Sequence, residues 1–158
     1  MPQALIWREH FSVGHIGLDN EHRSMIDAIN AICGGEQTRC GSSDLGSRHE
    51  SLRALSLSHF EHEEAILNTI QSYALNEPSF PASIELMSEA MLGEHMHDHL
   101  QAIEALNAMI SLSRARGEPL CEDLIAWFVS HAVKYDAHLK AIFQGIQNDC
   151  PALFRKLV

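Results

Sequence analysis

Residues 52–70, LRALSLSHFEHEEAILNTI, carry the pattern that decides the fold. Apolar side chains recur here three and four residues apart, which is the spacing of one face of an α-helix. The stripe comprises Leu52, Leu55, His59, Glu63, Ile66 and Ile70. This segment therefore predicts an amphipathic helix that directs one imidazole and one carboxylate toward a protein core.

Similar helical periodicity appears in three further segments, and no segment alternates as a β-strand does. The predicted helices cover about residues 19–33, 44–72, 82–116 and 120–147, after an irregular arm at residues 1–18. The predicted fold class is all-α, and four helices with short polar connections favour an up-down-up-down four-helix bundle. We expect residues 1–158 to form a single domain.

Capping and helix-breaking residues set the expected helix ends. Asp19 is the expected N-cap of the first helix. A Gly/Ser-rich connection at residues 40–47 is expected to precede the second helix, and Gly93 is a possible break within the third. Gly117 and Pro151 are expected to end the third and fourth helices.

Composition disfavours several classes of protein. The 158 residues include 11 Lys and Arg against 21 Asp and Glu, a formal charge of -10, so binding to nucleic acid or to an anionic membrane is not expected. No apolar run approaches the roughly 20 residues of a membrane span. The N-terminus does not resemble a secretory signal, so we expect a cytoplasmic protein. The four cysteines include no CxxC pair, and in a reducing compartment we expect free thiols.

Histidine is the unusual component, with 11 copies. Several copies fall within the apolar stripes, where an unpartnered polar group costs several kcal/mol. They are His22, His59, His95, His99 and His131. Metal ions are natural partners for imidazoles and carboxylates gathered in one core.

Helical spacing supports a shared site. His59 and Glu63, and likewise His95 and His99, are four residues apart and project from the same face. His131 and Asp136 are five apart, about 140° around an ideal helix. They can meet only through a large shared target or a local irregularity of the helix.

Coordination counting sharpens this hypothesis. Two octahedral ions offer roughly twelve positions, of which five imidazoles, two bridging carboxylates and a bridging solvent oxygen leave one open. Imidazole and carboxylate ligands suit iron, whereas the lack of thiolates argues against structural zinc. The residues thus predict a metal pair with one vacant position.

These residues resemble the hemerythrin family, specifically its bacterial members, over most of the chain. The similar segments are Trp7, Phe11, Val13-Gly14 and Leu18-Asp19-Asn20-Glu21-His22 in the N-terminal part; His59-Phe60 with Glu63-Glu64; His95-x-x-x-His99; and Trp127 with His131 and Asp136. The chain departs from the family by extra residues between Glu63 and His95, which are interpreted as a loop plus added helical turns. It also carries Phe128 and Ala132 where the family has larger aliphatic residues.

The resemblance implies a non-enzymatic protein that binds molecular oxygen reversibly at two non-haem irons, which are bridged by carboxylates and an oxo or hydroxo group. By that likeness His95, His99 and His131 hold one iron, His22 and His59 hold the open one, and Glu63 and Asp136 bridge both. Trp127, Phe128, Ala132 and Phe60 are expected to line the oxygen pocket.

Two alternatives share this site. The domain could instead sense oxygen or redox state for a signalling output domain or partner, which requires two iron states that favour different conformations. A diiron oxidase or peroxidase ranks lower, because such bundles usually carry more carboxylates. The sequence leaves open whether the protein is a monomer or a dimer.

The remaining polar residues near the motif receive simpler interpretations. His10, His15, His49, His62, His97 and His138 are interpreted as solvated or locally hydrogen-bonded. His138, two turns after His131, is also a candidate for the pocket floor or for a contact with a ligand. Glu64 and Asp98 are interpreted as parts of solvated faces.

Overall fold

The computed structural model describes residues 4–34 and 42–158. The α-helices are α1 (Ile16–Gly34), α2 (Ser42–Asn76), α3 (Ala82–Arg116), α4 (Cys121–Ser130), α5 (Asp136–Asp149) and α6 (Pro151–Leu157). A 3-10 helix, Glu9–Phe11, precedes them, and a π-helical turn, His131–Tyr135, joins α4 to α5. The described residues contain no β-strand, so the predicted all-α class is confirmed.

The first helix begins earlier than predicted, at Ile16, and Asp19 lies within its first turn rather than at its N-cap. The Asp19 carboxylate instead accepts hydrogen bonds from the Ser12 hydroxyl at 2.7 Å and the Val13 N–H at 2.8 Å. His15 caps the helix, because its Nδ1 accepts the Leu18 N–H at 3.2 Å. Asp19 therefore fixes the arm against α1.

The two central helices are longer or more continuous than predicted. Helix α2 begins at Ser42, so most of the expected Gly/Ser-rich connection is helical; residues 40 and 41 lie outside the described part. Helix α3 passes through Gly93 without a break. Gly117 ends α3 as predicted, in the left-handed conformation with φ 71°, and its N–H donates to the Ser113 carbonyl at 2.8 Å.

The predicted fourth helix is divided by the π-helical turn into α4 and α5. Pro151 follows α5, as expected, but it also opens α6 from the first turn of that helix. A proline there loses no hydrogen bond, since the first N–H groups of a helix have no intrahelical acceptor. The described residues include no helix that meets the length and apolarity of a membrane span.

A disulfide joins Cys33 in the last turn of α1 to Cys121 at the start of α4. The expectation of free thiols is therefore wrong for this pair. The two residues are 88 positions apart, and sequence spacing alone carried no sign of their proximity. Cys150 is free, as expected, and Cys40 lies outside the described residues.

Two apolar clusters fill the interior, and the polar centre lies between them along each helix. On α1, Leu18 belongs to one cluster and Met25 to the other, with His22 between them. Neighbouring pairs in contact are α1 with α2, α2 with α3, α3 with α4 and α5, and α4 with α1. These contacts are compatible with a helical bundle.

Candidate metal centre

Seven polar side chains converge in the interior. Each residue has at most 4% of its surface exposed, and together they come from α1, α2, α3, the π-helical turn and α5. They are His22, His59, Glu63, His95, His99, His131 and Asp136. The structure thus brings together every residue that the sequence predicts as a metal ligand.

These residues form two groups that share Glu63. One group is His22, His59, Glu63, His131 and Asp136, and the other is Glu63, His95 and His99; within each, the candidate ligand atoms lie within 4.8 Å of one another. Glu63 Oε2 lies 3.0 Å from His99 Nε2 and 3.7 Å from His95 Nδ1. Its Oε1 lies 3.3 Å from His59 Nε2. One carboxylate therefore reaches both groups.

The π-helical turn places His131 and Asp136 on the same side. Residues five apart are hydrogen-bonded to each other in a π-helix, whereas they diverge in an α-helix. Asp136 Oδ2 lies 3.5 Å from His131 Nε2 and 3.0 Å from His22 Nε2. A helix irregularity was one of the two predicted ways for this pair to meet, and it is confirmed.

Three of the imidazoles form a hydrogen bond from Nδ1 to a group outside the seven residues. The acceptors are the Phe11 carbonyl for His22 at 2.8 Å, the Glu21 carboxylate for His59 at 2.9 Å and the Glu64 carboxylate for His99 at 2.9 Å. Because carbonyl and carboxylate oxygens only accept, Nδ1 carries the proton in each ring. In the neutral imidazole, the inward Nε2 then presents a lone pair, as a metal ligand must.

The inward atoms include acceptors that no donor faces. His22 Nε2 lies 3.1 Å from His59 Nε2, as well as close to Asp136. Glu63 Oε1 and both Asp136 carboxylate oxygens are buried without a hydrogen-bond partner. Buried polar atoms seldom remain unsatisfied in proteins, so this donor set fits metal ions better than a hydrogen-bond network.

The electrostatics favour a positive charge among these seven side chains. Burial disfavours the charged form of His59, but Glu63 and a hydrogen bond to Glu21 outweigh it and raise the pKa of His59 to about 10. At His131 burial dominates and lowers the pKa to about 4, although Asp136 and Glu63 oppose it. Burial opposes ionisation of Glu63, yet His59 and neighbouring imidazoles hold its pKa well below the ordinary value. Anionic carboxylates thus lie beside a neutral imidazole, in the forms that bind metals.

The family model of the hemerythrin HHE cation binding domain matches residues 16–143 of this chain. The chain belongs to the hemerythrin family. The matched range contains all seven side chains of the centre, and the resemblance seen in the sequence is confirmed. No solved structure matches the chain.

Apolar side chains of the hemerythrin domain lie against the ligand candidates. Phe60 stacks on the His99 ring with centroids 4.2 Å apart, and Phe128 is fully buried with its ring 5.8 Å from that of His22. Ala132 is buried as well. Trp127 is only half-buried; its indole N–H donates to the Ala102 carbonyl at 2.9 Å, and it lines a groove of about 590 Å³ that reaches His131.

Two carboxylates of the hemerythrin domain were not predicted from the sequence to support ligands. Glu21 bonds His59, and Glu64, which was interpreted as part of a solvated face, bonds His99. Both side chains are 30% exposed, so apolar periodicity does not identify them. The available signal was adjacency, since Glu21 directly precedes His22 and Glu64 directly follows Glu63.

The remaining histidines divide between confirmed and wrong interpretations. His62 is hydrogen-bonded, but its partner is Glu21 on α1, 41 residues away, rather than a local group. His15 and His49 are buried rather than solvated, although His15 does bond locally to the Leu18 N–H. His138 is exposed and does not lie at the pocket floor, because the π-helical turn rotates the residues after it around the helix axis.

Proposed function

We propose that this hemerythrin domain holds two non-haem iron ions and binds molecular oxygen reversibly, without catalysing a reaction. The observation that carries the proposal is the donor set, in which five imidazoles surround two buried carboxylates. Iron suits such mixed ligands. An imidazole-rich set also separates the domain from diiron oxidases, whose bundles carry more carboxylates.

Within this proposal Glu63 and Asp136 would be shared by the two ions. We assign His95, His99 and His131 to one iron, and His22 and His59 to the iron that keeps an open position. By distance His131 lies with His22 and His59, and a structure of the iron-loaded protein would show which iron it binds.

When bound, a pair of ferrous ions supplies the two electrons that hold oxygen reversibly. The contribution of the chain is to orient the imidazoles and to exclude water. Phe11, Glu21 and Glu64 fix three rings through Nδ1. Phe60 and Phe128 cover the imidazoles with buried apolar surface, which limits entry of water to the centre.

The order of the apolar clusters supports an up-down-up-down arrangement of the bundle. Helix α1 runs from the cluster of Leu18 to that of Met25, whereas α2 runs in the opposite sense, from Leu52 in the second cluster to Ile66 in the first. Helix α3 returns to the sense of α1, and α4 with α5 to that of α2.

The test is anaerobic loading with ferrous iron followed by oxygen. We expect about two irons per chain and a visible absorption band that appears with oxygen and disappears on evacuation. His131→Ala and Glu63→Ala should lower iron content, and His138→Ala, an exposed site on α5, should not. Equal iron in all three variants, or irreversible bleaching with oxygen, contradicts the proposal.

A sensing role remains the second candidate, because a route of contacts joins a ligand to the C-terminal helix α6. His59 bonds Glu21, which also bonds His62; the His62 ring lies 5.5 Å from the ring of His15. His15 Nε2 donates to the Leu157 carbonyl at 2.6 Å. Sensing predicts that hydrogen exchange in α6 differs between the ferrous and ferric forms, whereas equal exchange favours a carrier.

A further inference from the structure

His62 lies outside the ligand set but shares a carboxylate with a ligand. Glu21 Oε2 accepts the His59 Nδ1–H at 2.9 Å, and Glu21 Oε1 accepts the His62 Nδ1–H at 2.8 Å. His59 is fully buried and reaches the centre, whereas His62 is 36% exposed and does not. Glu21 therefore divides its negative charge between one ligand and one non-ligand.

The position of His62 is built into the fold. A Cβ added at Gly17 would lie 3.3 Å from His62 Cε1 and 3.0 Å from His15 Cε1, so the missing side chain leaves room for both rings. His15 is held in turn by the Leu157 carbonyl and contacts the Phe143 ring at 5.3 Å. His62 is thus held from a second side as well as by Glu21.

We infer that His62 and Glu21 form a positioning pair that sets how strongly His59 donates to the metal. The inference rests on the proposed metal centre. A carboxylate that accepts the Nδ1–H of a ligand raises the basicity of the ring, and the anionic charge favours the more positive oxidation state of the metal. A second donor at the other oxygen withdraws part of that charge.

Opposite effects follow for the two members of the pair. Glu21→Gln removes the charge, so the reduction potential of the iron centre should rise and zinc affinity should fall about 10- to 100-fold. His62→Phe fills the same space but removes the competing donor, so the potential should fall and zinc affinity should hold or rise. The sign does not depend on the charge of His62, since a neutral or a charged donor withdraws charge alike.

The experiment measures two quantities on the full chain. One is the reduction potential of the iron-loaded protein by mediated titration, and the other is zinc affinity by competition with a chelator. His138→Phe, at an exposed site on α5, is the matched control. Shifts of opposite sign for Glu21→Gln and His62→Phe support the inference, because a loss of structure alone would move both in one direction.

Two results would overturn it: shifts of the same sign in both variants, or a His62→Phe protein that matches the control in potential and affinity. Failure of reversible oxygen binding would count against the proposed function alone. Zinc binding needs no oxygen, so the zinc measurement would still decide this inference.

Discussion

Removing the disulfide between Cys33 and Cys121 should strongly destabilise the protein. The bond closes a segment of 88 residues that includes all of α2 and α3. In the chain-entropy model a loop of that length restricts the unfolded chain by roughly 4–5 kcal/mol, and native disulfides typically contribute about 2–5 kcal/mol. The Cys33→Ser/Cys121→Ser protein should therefore lose a few kcal/mol of unfolding free energy.

Urea unfolding of the metal-free protein, followed by circular dichroism, measures this loss. Cys150→Ser is the matched control, because Cys150 is free and half-buried. Alkylation before and after reduction counts the thiols and establishes whether the bond is present. If the bond is present and the double variant unfolds within about 1 kcal/mol of wild type, the loop-closure reasoning fails for this chain. If the oxidised protein holds no bond, the described pairing is itself refuted.

Three further predictions concern the arm, the centre and its charge. Asp19→Ala should lower the free energy of unfolding by about 1.5–3 kcal/mol, since a buried carboxylate loses two hydrogen bonds to the arm; urea unfolding checks this, and an unchanged midpoint contradicts it. Phe60→Ala removes the ring stacked on His99, so it should lower stability by about 3–5 kcal/mol and speed the irreversible oxidation of the ferrous protein in air. A spectroscopic time course measures that oxidation, and a rate equal to that of wild type would contradict the prediction. In the metal-free protein the pKa of His59 is raised to about 10, so the contribution of this group to stability is complete below pH 6.5 and is lost as the pH rises toward 10. Thermal unfolding measured from pH 6.5 to 10 should show this loss of stability in wild type and a smaller loss in His59→Gln.

The ligand candidates could be predicted because they violate a local rule. An imidazole or carboxylate in an apolar helical stripe needs a partner, and helical spacing then places His95 beside His99 and His59 beside Glu63. Each judgement used only residues within two turns of one another. The same reasoning predicted the all-α class.

What escaped prediction depends on contacts between distant segments. Cys33 and Cys121 have no local signature that distinguishes a bonded pair from two free thiols. Glu21 lies on a partly exposed face of α1 and becomes significant only because α2 brings His59 and His62 to it. For His138 the sequence predicts a solvated side chain, with the pocket floor as a second candidate from regular helical spacing past His131. It is exposed, because the π-helical turn rotates it away from the side of His131.

The π-helical turn also determines which residues on either side of it face the core. Upstream of it, Phe128 faces the core in the phase of α4; downstream, Leu139, Ile142 and Ile146 face the core in the phase of α5. Straightening the turn into an ordinary helix with every residue retained would swing the downstream stripe by about 100°, the rotation that one residue adds, out of the interior. Deleting one residue, such as the exposed Val133, would instead straighten the helix and keep the stripe in place. The segment can therefore be straightened only by removing one residue or by moving every apolar position that follows it.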